Sequence, residues 1–110
     1  QVLLFIFNYA FQKINKFLGK KAFSVYQKDT NSWYTASNRA LYDAEMLAFA
    51  DVEEEDITIT PKQFQNGLKT LMENVEFKKS LNEQAGGKKI AMRVEEVKTI
   101  LTKTNATISA

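Results

Sequence analysis

Hydrophobic residues recur at intervals of three and four along most of this chain, the mark of helices that turn one face to a core. The first such run spans Val2 to Leu18, where Leu3, Phe7, Ala10, Phe11, Ile14, Phe17 and Leu18 form a broad stripe. Leu4, Phe5 and Ile6 widen it, and a helix apolar almost all round at one end is expected to be covered on more than one side. Gly19 follows as a left-handed terminator, with Lys20 and Lys21 near the negative end of the helix dipole. A second helix is expected from about Asn38 to Val52, capped by Ser37 or Asn38. Its core stripe is Ala40, Leu41, Ala44, Leu47 and Ala48, while Tyr42, Met46 and Phe49 make a second covered stripe.

The third helix has the clearest start. Thr60-Pro61-Lys62-Gln63 places a capping hydroxyl, a proline at the first helical position and a glutamine able to reach back, a capping box. Ile59 and Phe64 are spaced for a hydrophobic staple across that turn. Phe64, Leu68, Leu71, Met72 and Val75 supply the apolar face, and Gly67 within it suits close contact with a neighbour at a helix-propensity cost of about 1 kcal/mol. A short fourth helix runs through Phe77 and Leu81 and ends before Gly86-Gly87. The fifth, about Lys88 to Thr102, carries Ile90, Val94, Val97, Ile100 and Leu101 at helical spacing.

Between the first two helices, Lys21 to Tyr26 reads as a short helix or turn with Phe23 and Tyr26 facing inward. Gln27 to Ser37 is dense in Asp, Asn, Ser and Thr and reads as a loop, with Trp33 and Tyr34 either anchoring it onto the core or free to stack a base or ligand, the anchoring role being the expectation. The only competing strand pattern, Ile57 to Thr60, is too short to build a sheet. The expectation is an all-α, irregular bundle of about five helices over residues 1–104, with a frayed tail at 105–110 and no internal repeat.

Composition narrows the chemistry. The 110 residues contain no His and no Cys, which removes the imidazole base, the thiol nucleophile and nearly every zinc, copper or haem site. No disulfide framework is possible, and the composition suits a reducing, cytoplasmic setting. The apolar opening ends at Gln12 and Lys13, short of the roughly 18–20 residues a membrane helix needs, so no membrane partner is expected. It also begins without Met or a capping residue, and so reads as a helix cut into, the C-terminal portion of a larger chain. A face apolar to that degree is expected to meet the absent N-terminal domain or a second copy of the chain.

Charge is unevenly spread. Residues 1–40 carry six Lys/Arg against one Asp, residues 41–60 seven acids and no base, and residues 61–110 nine Lys/Arg against five Glu. Lys13, Lys16, Lys20, Lys21 and Lys28, interleaved with Phe23 and Tyr26, form a candidate basic patch for nonspecific nucleic-acid contact, or an ordinary solvated face.

Three short runs invite a chemical reading. Asp51 to Asp56 lacks the glycine and the alternating ligands of a calcium loop, so an exposed loop is expected. Glu76-Phe77-Lys78 has the acid and lysine spacing of metal-dependent nucleases, yet sits in a helical context rather than on a strand. Gly86-Gly87-Lys88-Lys89 precedes a helix, and with Lys88 and Lys89 could hold a phosphate, but the earlier Gly and following Ser/Thr of a phosphate loop are missing. No catalytic, metal or cofactor set emerges.

Three segments, Phe7 to Tyr26 (FNYAFQKINKFLGKKAFSVY), Asn38 to Ala50 (NRALYDAEMLAFA) and Phe77 to Leu101, together resemble the C-terminal helical part of the ParB-like proteins typified by the GmrSD modification-dependent restriction endonucleases. The likeness covers most of residues 7–101 and rests on helix-packing positions. It implies a non-catalytic helical domain of a bacterial defence or nucleic-acid-processing enzyme with a nucleotide-dependent nuclease role. That family's Asp-Gly-Gln-Gln-Arg-type motif belongs to its N-terminal ParB-like domain and has no counterpart here, so no catalytic residue carries over. Arg93 matches the arginine of the family's last helix. It is the polar position singled out, either as an ion pair tying that helix to another or as a phosphate contact.

Overall fold

The computed structural model describes residues 2–34, 37–82 and 87–102, without the side chains of 2–4 and 87–88. Among these, α1 spans Val2–Leu18, α2 Arg39–Asp51, α3 Pro61–Glu73, α4 Val75–Ser80 and α5 Gly87–Thr102. The fold is mostly helical, as the periodicity predicts, with one addition. Strands β1 (Tyr26–Gln27) and β2 (Ser32–Trp33) pair antiparallel, Tyr26 opposite Trp33 and Gln27 opposite Ser32. The segment read as a loop is therefore a small hairpin. Its tight end is made by Asn31 in the left-handed region (φ 54°), a conformation Asn tolerates.

Helix α2 is central, packing most extensively on α5 and α1. Three phenylalanines from three helices form the middle of the core: Phe17, Phe49 and Phe64, with ring centroids 5.3 to 5.9 Å apart. Such tilted and edge-on pairs add about 0.5–1.5 kcal/mol each beyond the area they bury. A second cluster of Val25, Tyr26, Leu41, Met72, Phe77 and Leu81 joins the hairpin to α3 and α4. Trp33 packs against both clusters. Helix α3 approaches α5 so closely at Gly67 that a Cβ there would lie 2.6 Å from Ile100 Cγ2.

The helix starts follow their capping residues. Asn38 Oδ1 accepts the Leu41 N–H at 3.0 Å, and Asn74 Oδ1 accepts the Phe77 N–H at 3.0 Å. At α3 the capping box is complete, with Gln63 N–H on Thr60 Oγ1 and Thr60 N–H on Gln63 Oε1. Gly19 closes α1 at φ 54°.

Several stripe positions differ from expectation. Phe7 and Phe11 are 41% and 45% exposed, because the buried face of α1 runs through Ala10, Lys13, Ile14, Phe17 and Leu18 instead. Leu47 and Val75 are also exposed, Val75 because it opens α4 after the chain turns at Asn74. Trp33 anchors the hairpin as expected, but Tyr34 stands 55% exposed. The tail at 105–110, the 103–104 boundary and Gly86 lie outside the described residues.

Candidate functional site

One open feature among the described residues is apolar. Along α1, Phe5 stacks on Tyr9 and Phe7 meets Phe11 edge-on, four residues apart in each case; at about 100° per residue the two pairs lie on opposite flanks of the helix, with the exposed Asn8, Gln12 and Asn15 between them. The apolar feature is a groove of about 580 Å³ between α1, α2 and α5. Ile6, Leu47, Ala50, Ile90, Ala91 and Val94 form its walls. Asp51, Glu95 and Lys98 rim one end, where Lys98 bonds Asp51 and lies 3.5 Å from Glu95. The Asp51 hydrogen bond raises the Lys98 pKa above its ordinary value. No residue from Gln1 to Gln12 is charged.

Of the five lysines read as a candidate basic patch, Lys13 is buried, while Lys16, Lys20, Lys21 and Lys28 are exposed, Lys28 with its ammonium 3.9 Å from Glu73. The Lys13 ammonium donates to the Val52 carbonyl at 2.6 Å and sits 4.0 Å from the Tyr9 ring centroid. It thus caps the C-terminal end of α2, where the helix dipole favours a cation, and its stem lies in the core. Lys21 donates to Gln65 Oε1, and Gln65 in turn donates to the Phe17 carbonyl, tying the end of α1 to α3.

Arg93 is 2% exposed. Its Nη2 donates to the Ser80 carbonyl and its Nε to Ser80 Oγ at 3.2 Å, while that hydroxyl donates to the Phe77 carbonyl at 2.6 Å. A guanidinium placed at the C-terminal end of α4 satisfies carbonyls that the short helix leaves unpaired. Lys89 is half-buried in the first turns of α5, and the side chain of Lys88 lies outside the described ones.

The acids are dispersed. Glu53 to Asp56 are exposed around a single 3₁₀ turn, and Glu76 is exposed at the start of α4. Among the described residues no group of three acids could hold a metal ion, and no helix is long and apolar enough to cross a membrane.

One buried acid escaped the sequence reading. Glu45 is fully buried, with Oε1 accepting the Phe23 N–H at 2.8 Å and Oε2 without a partner among the described residues. Burial pushes its carboxyl up to about 8, against the opposing pull of the Phe23 N–H. Phe23 is held there in the left-handed region (φ 63°), its ring 4.8 Å from that of Tyr42. Enclosed from solvent, Glu45 cannot reach a substrate and acts as a pin for the segment before α2. The signal was present: Glu45 lies four residues after Leu41 and four before Phe49, on the buried face of α2.

No family model, curated protein or solved structure matches this chain.

Proposed function

We propose that the chain is a non-catalytic helical module of a ParB-like, GmrSD-type bacterial defence or nucleic-acid-processing protein. In this reading it packs against a catalytic domain and positions it. The observation that carries this reading is the apolar α1–α2–α5 groove, with the exposed Ile6 and Leu47 in its wall. Contiguous exposed apolar surface of this kind marks an interaction site in folded proteins. The family resemblance supports a ParB-like domain as that partner. The lack of His and Cys supports a positioning role over chemistry.

The coding sequence adjoining Gln1 gives the direct test. A ParB-like domain in frame upstream supports the proposal, and a start codon directly before Gln1 overturns it. The interface is tested by co-expressing that domain with this chain. Ile6→Lys together with Leu47→Lys should abolish co-purification and leave helicity unchanged. A chain that dimerises through the same face and ignores the ParB-like domain would instead be a stand-alone association module.

The purified chain is expected to show no nuclease or nucleotide hydrolase activity with magnesium or manganese. Turnover that disappears in Glu76→Ala would overturn this.

A further inference from the structure

A second concavity, of about 440 Å³, lies away from the α1 face, where the hairpin meets the start of α2 and the end of α4. Its construction follows from strand alternation. Tyr26 and Trp33 form a cross-strand pair, their rings 5.2 Å apart, against the core. Val25, Gln27 and Tyr34, each one residue away from that pair, line the cleft. The Tyr34 N–H donates to the Val25 carbonyl at 2.9 Å, which fixes the backbone that carries the exposed ring. Opposite stand Lys78 in the last turn of α4 and Leu81 and Asn82 in the turn just after it, and Ser37 and Asn38 close one end.

The side chains present a consistent chemistry. Val25 and Leu81 give a buried apolar floor, and Tyr34 gives an open aromatic wall. The amides of Gln27 and Asn82 each offer a donor and an acceptor, and make no hydrogen bond among the described residues. Lys78, half-buried and likewise without an ion pair among the described residues, is the one charged side chain in the described lining. A flat face to stack, mixed donors and acceptors for a polar edge, and one cation together fit a planar heterocycle bearing an anionic group. Cavities of roughly 300–1,000 Å³ hold such ligands.

We propose that this cleft binds a nucleotide, its base stacked on Tyr34 and read at its edge by Gln27 and Asn82, its phosphate on Lys78. The nucleotide is either free or an unpaired residue of a single strand. The site is independent of the α1 face, so either proposal can fail without the other.

The test is a titration of the isotope-labelled full chain with the four nucleoside monophosphates and with a short oligothymidylate, followed by amide shifts. The expected result is saturable perturbation centred on Gln27, Tyr34, Lys78 and Asn82. Tyr34→Ala should weaken it about 5- to 150-fold, the range for losing one base stack, and Tyr34→Phe should retain it. Lys78→Gln should weaken binding and flatten its salt dependence. Saturation by monophosphates assigns a free nucleotide, and saturation by the oligomer alone assigns a strand. The proposal is overturned by no perturbation of the cleft up to about 10 mM ligand. Perturbation that Tyr34→Ala and Lys78→Gln leave unchanged, or that inorganic phosphate reproduces, overturns it equally.

Discussion

The chain enters α3 and α2 by different means. At α3 all the parts lie within six residues, Ile59 to Phe64: a threonine cap, a proline, a reciprocal glutamine and two apolar residues, Ile59 and Phe64, both buried in one cluster. At α2 the cap itself is local, Asn38 on Leu41, but the segment leading to it is held from a distance. Glu45 takes the Phe23 N–H, the Phe23 carbonyl takes the Asn38 N–H at 2.8 Å, and Met72 Sδ receives the Tyr26 N–H. A local cap contributes a modest, fixed amount. A pin made from a buried carboxyl makes a whole segment conditional on one proton, and it also offsets the strain of a bulky residue at positive φ, of order 1–3 kcal/mol.

The strongest way to break the comparison is pH. The folded state holds the Glu45 proton with a pKa of about 8, above the ordinary 4.5, so the folded form binds protons more tightly than the unfolded chain. The stability this gives is complete below about pH 4.5 and is lost as pH rises through 8, by on the order of 3–6 kcal/mol at full extent. Urea denaturation across that window should show the decline, and Glu45→Gln should flatten it and leave the protein more stable at pH 8. A wild-type slope unchanged by Glu45→Gln would place the proton elsewhere.

Arg93 sharpens the contrast as a second distant pin, reaching back thirteen residues to Ser80. Arg93→Met keeps most of the stem packing and loses charge-assisted hydrogen bonds, for an expected loss of about 1.5–3 kcal/mol in chemical denaturation. Retained stability with weaker nucleic-acid binding would assign the guanidinium to phosphate instead.

The local side is probed by Thr60→Ala, which should lower stability by about 0.5–2 kcal/mol without disturbing the fold. Pro61 and the buried Ile59 and Phe64 still hold the entry, so the spectrum should shift only around Pro61 to Phe64. An unchanged denaturation midpoint would show that the box contributes nothing.

The smallest effect belongs to Val75→Gln, expected within about 0.5 kcal/mol, since Val75 is 75% exposed although apolar periodicity assigned it to the α3 core face. A larger loss would mean that this side chain is covered in solution.

These sites also show where sequence is informative. Thr60, Pro61 and Gln63 were readable because each acts on a neighbour through fixed helical spacing. Gly19 and the bounds of α1 were readable for the same reason. The hairpin was not, since two-residue strands leave no alternation to detect and their pairing depends on Trp33 finding the core. Lys13 and Glu45 were misread or passed over because charged residues are normally solvated. What buries them is the geometry of partners 39 and 22 residues away. Leu47 and Phe7 failed in the opposite direction: periodicity marks an apolar face but does not say whether this chain covers it. The candidate sites therefore rest mostly on tertiary placement, which the one-dimensional pattern does not carry.

The uncharged stretch of α1 bears on association. On the proposed reading, a partner meeting this stretch finds no charged side chain there, so the contact itself should depend little on ionic strength, and any long-range steering would come from the charges elsewhere on the molecule. Once formed, such a contact weakens on cooling, because apolar burial loses its driving force at low temperature. If the proposed partner is joined to this chain by a short flexible link, the link would hold the two halves at about millimolar effective concentration and make the rate of searching irrelevant.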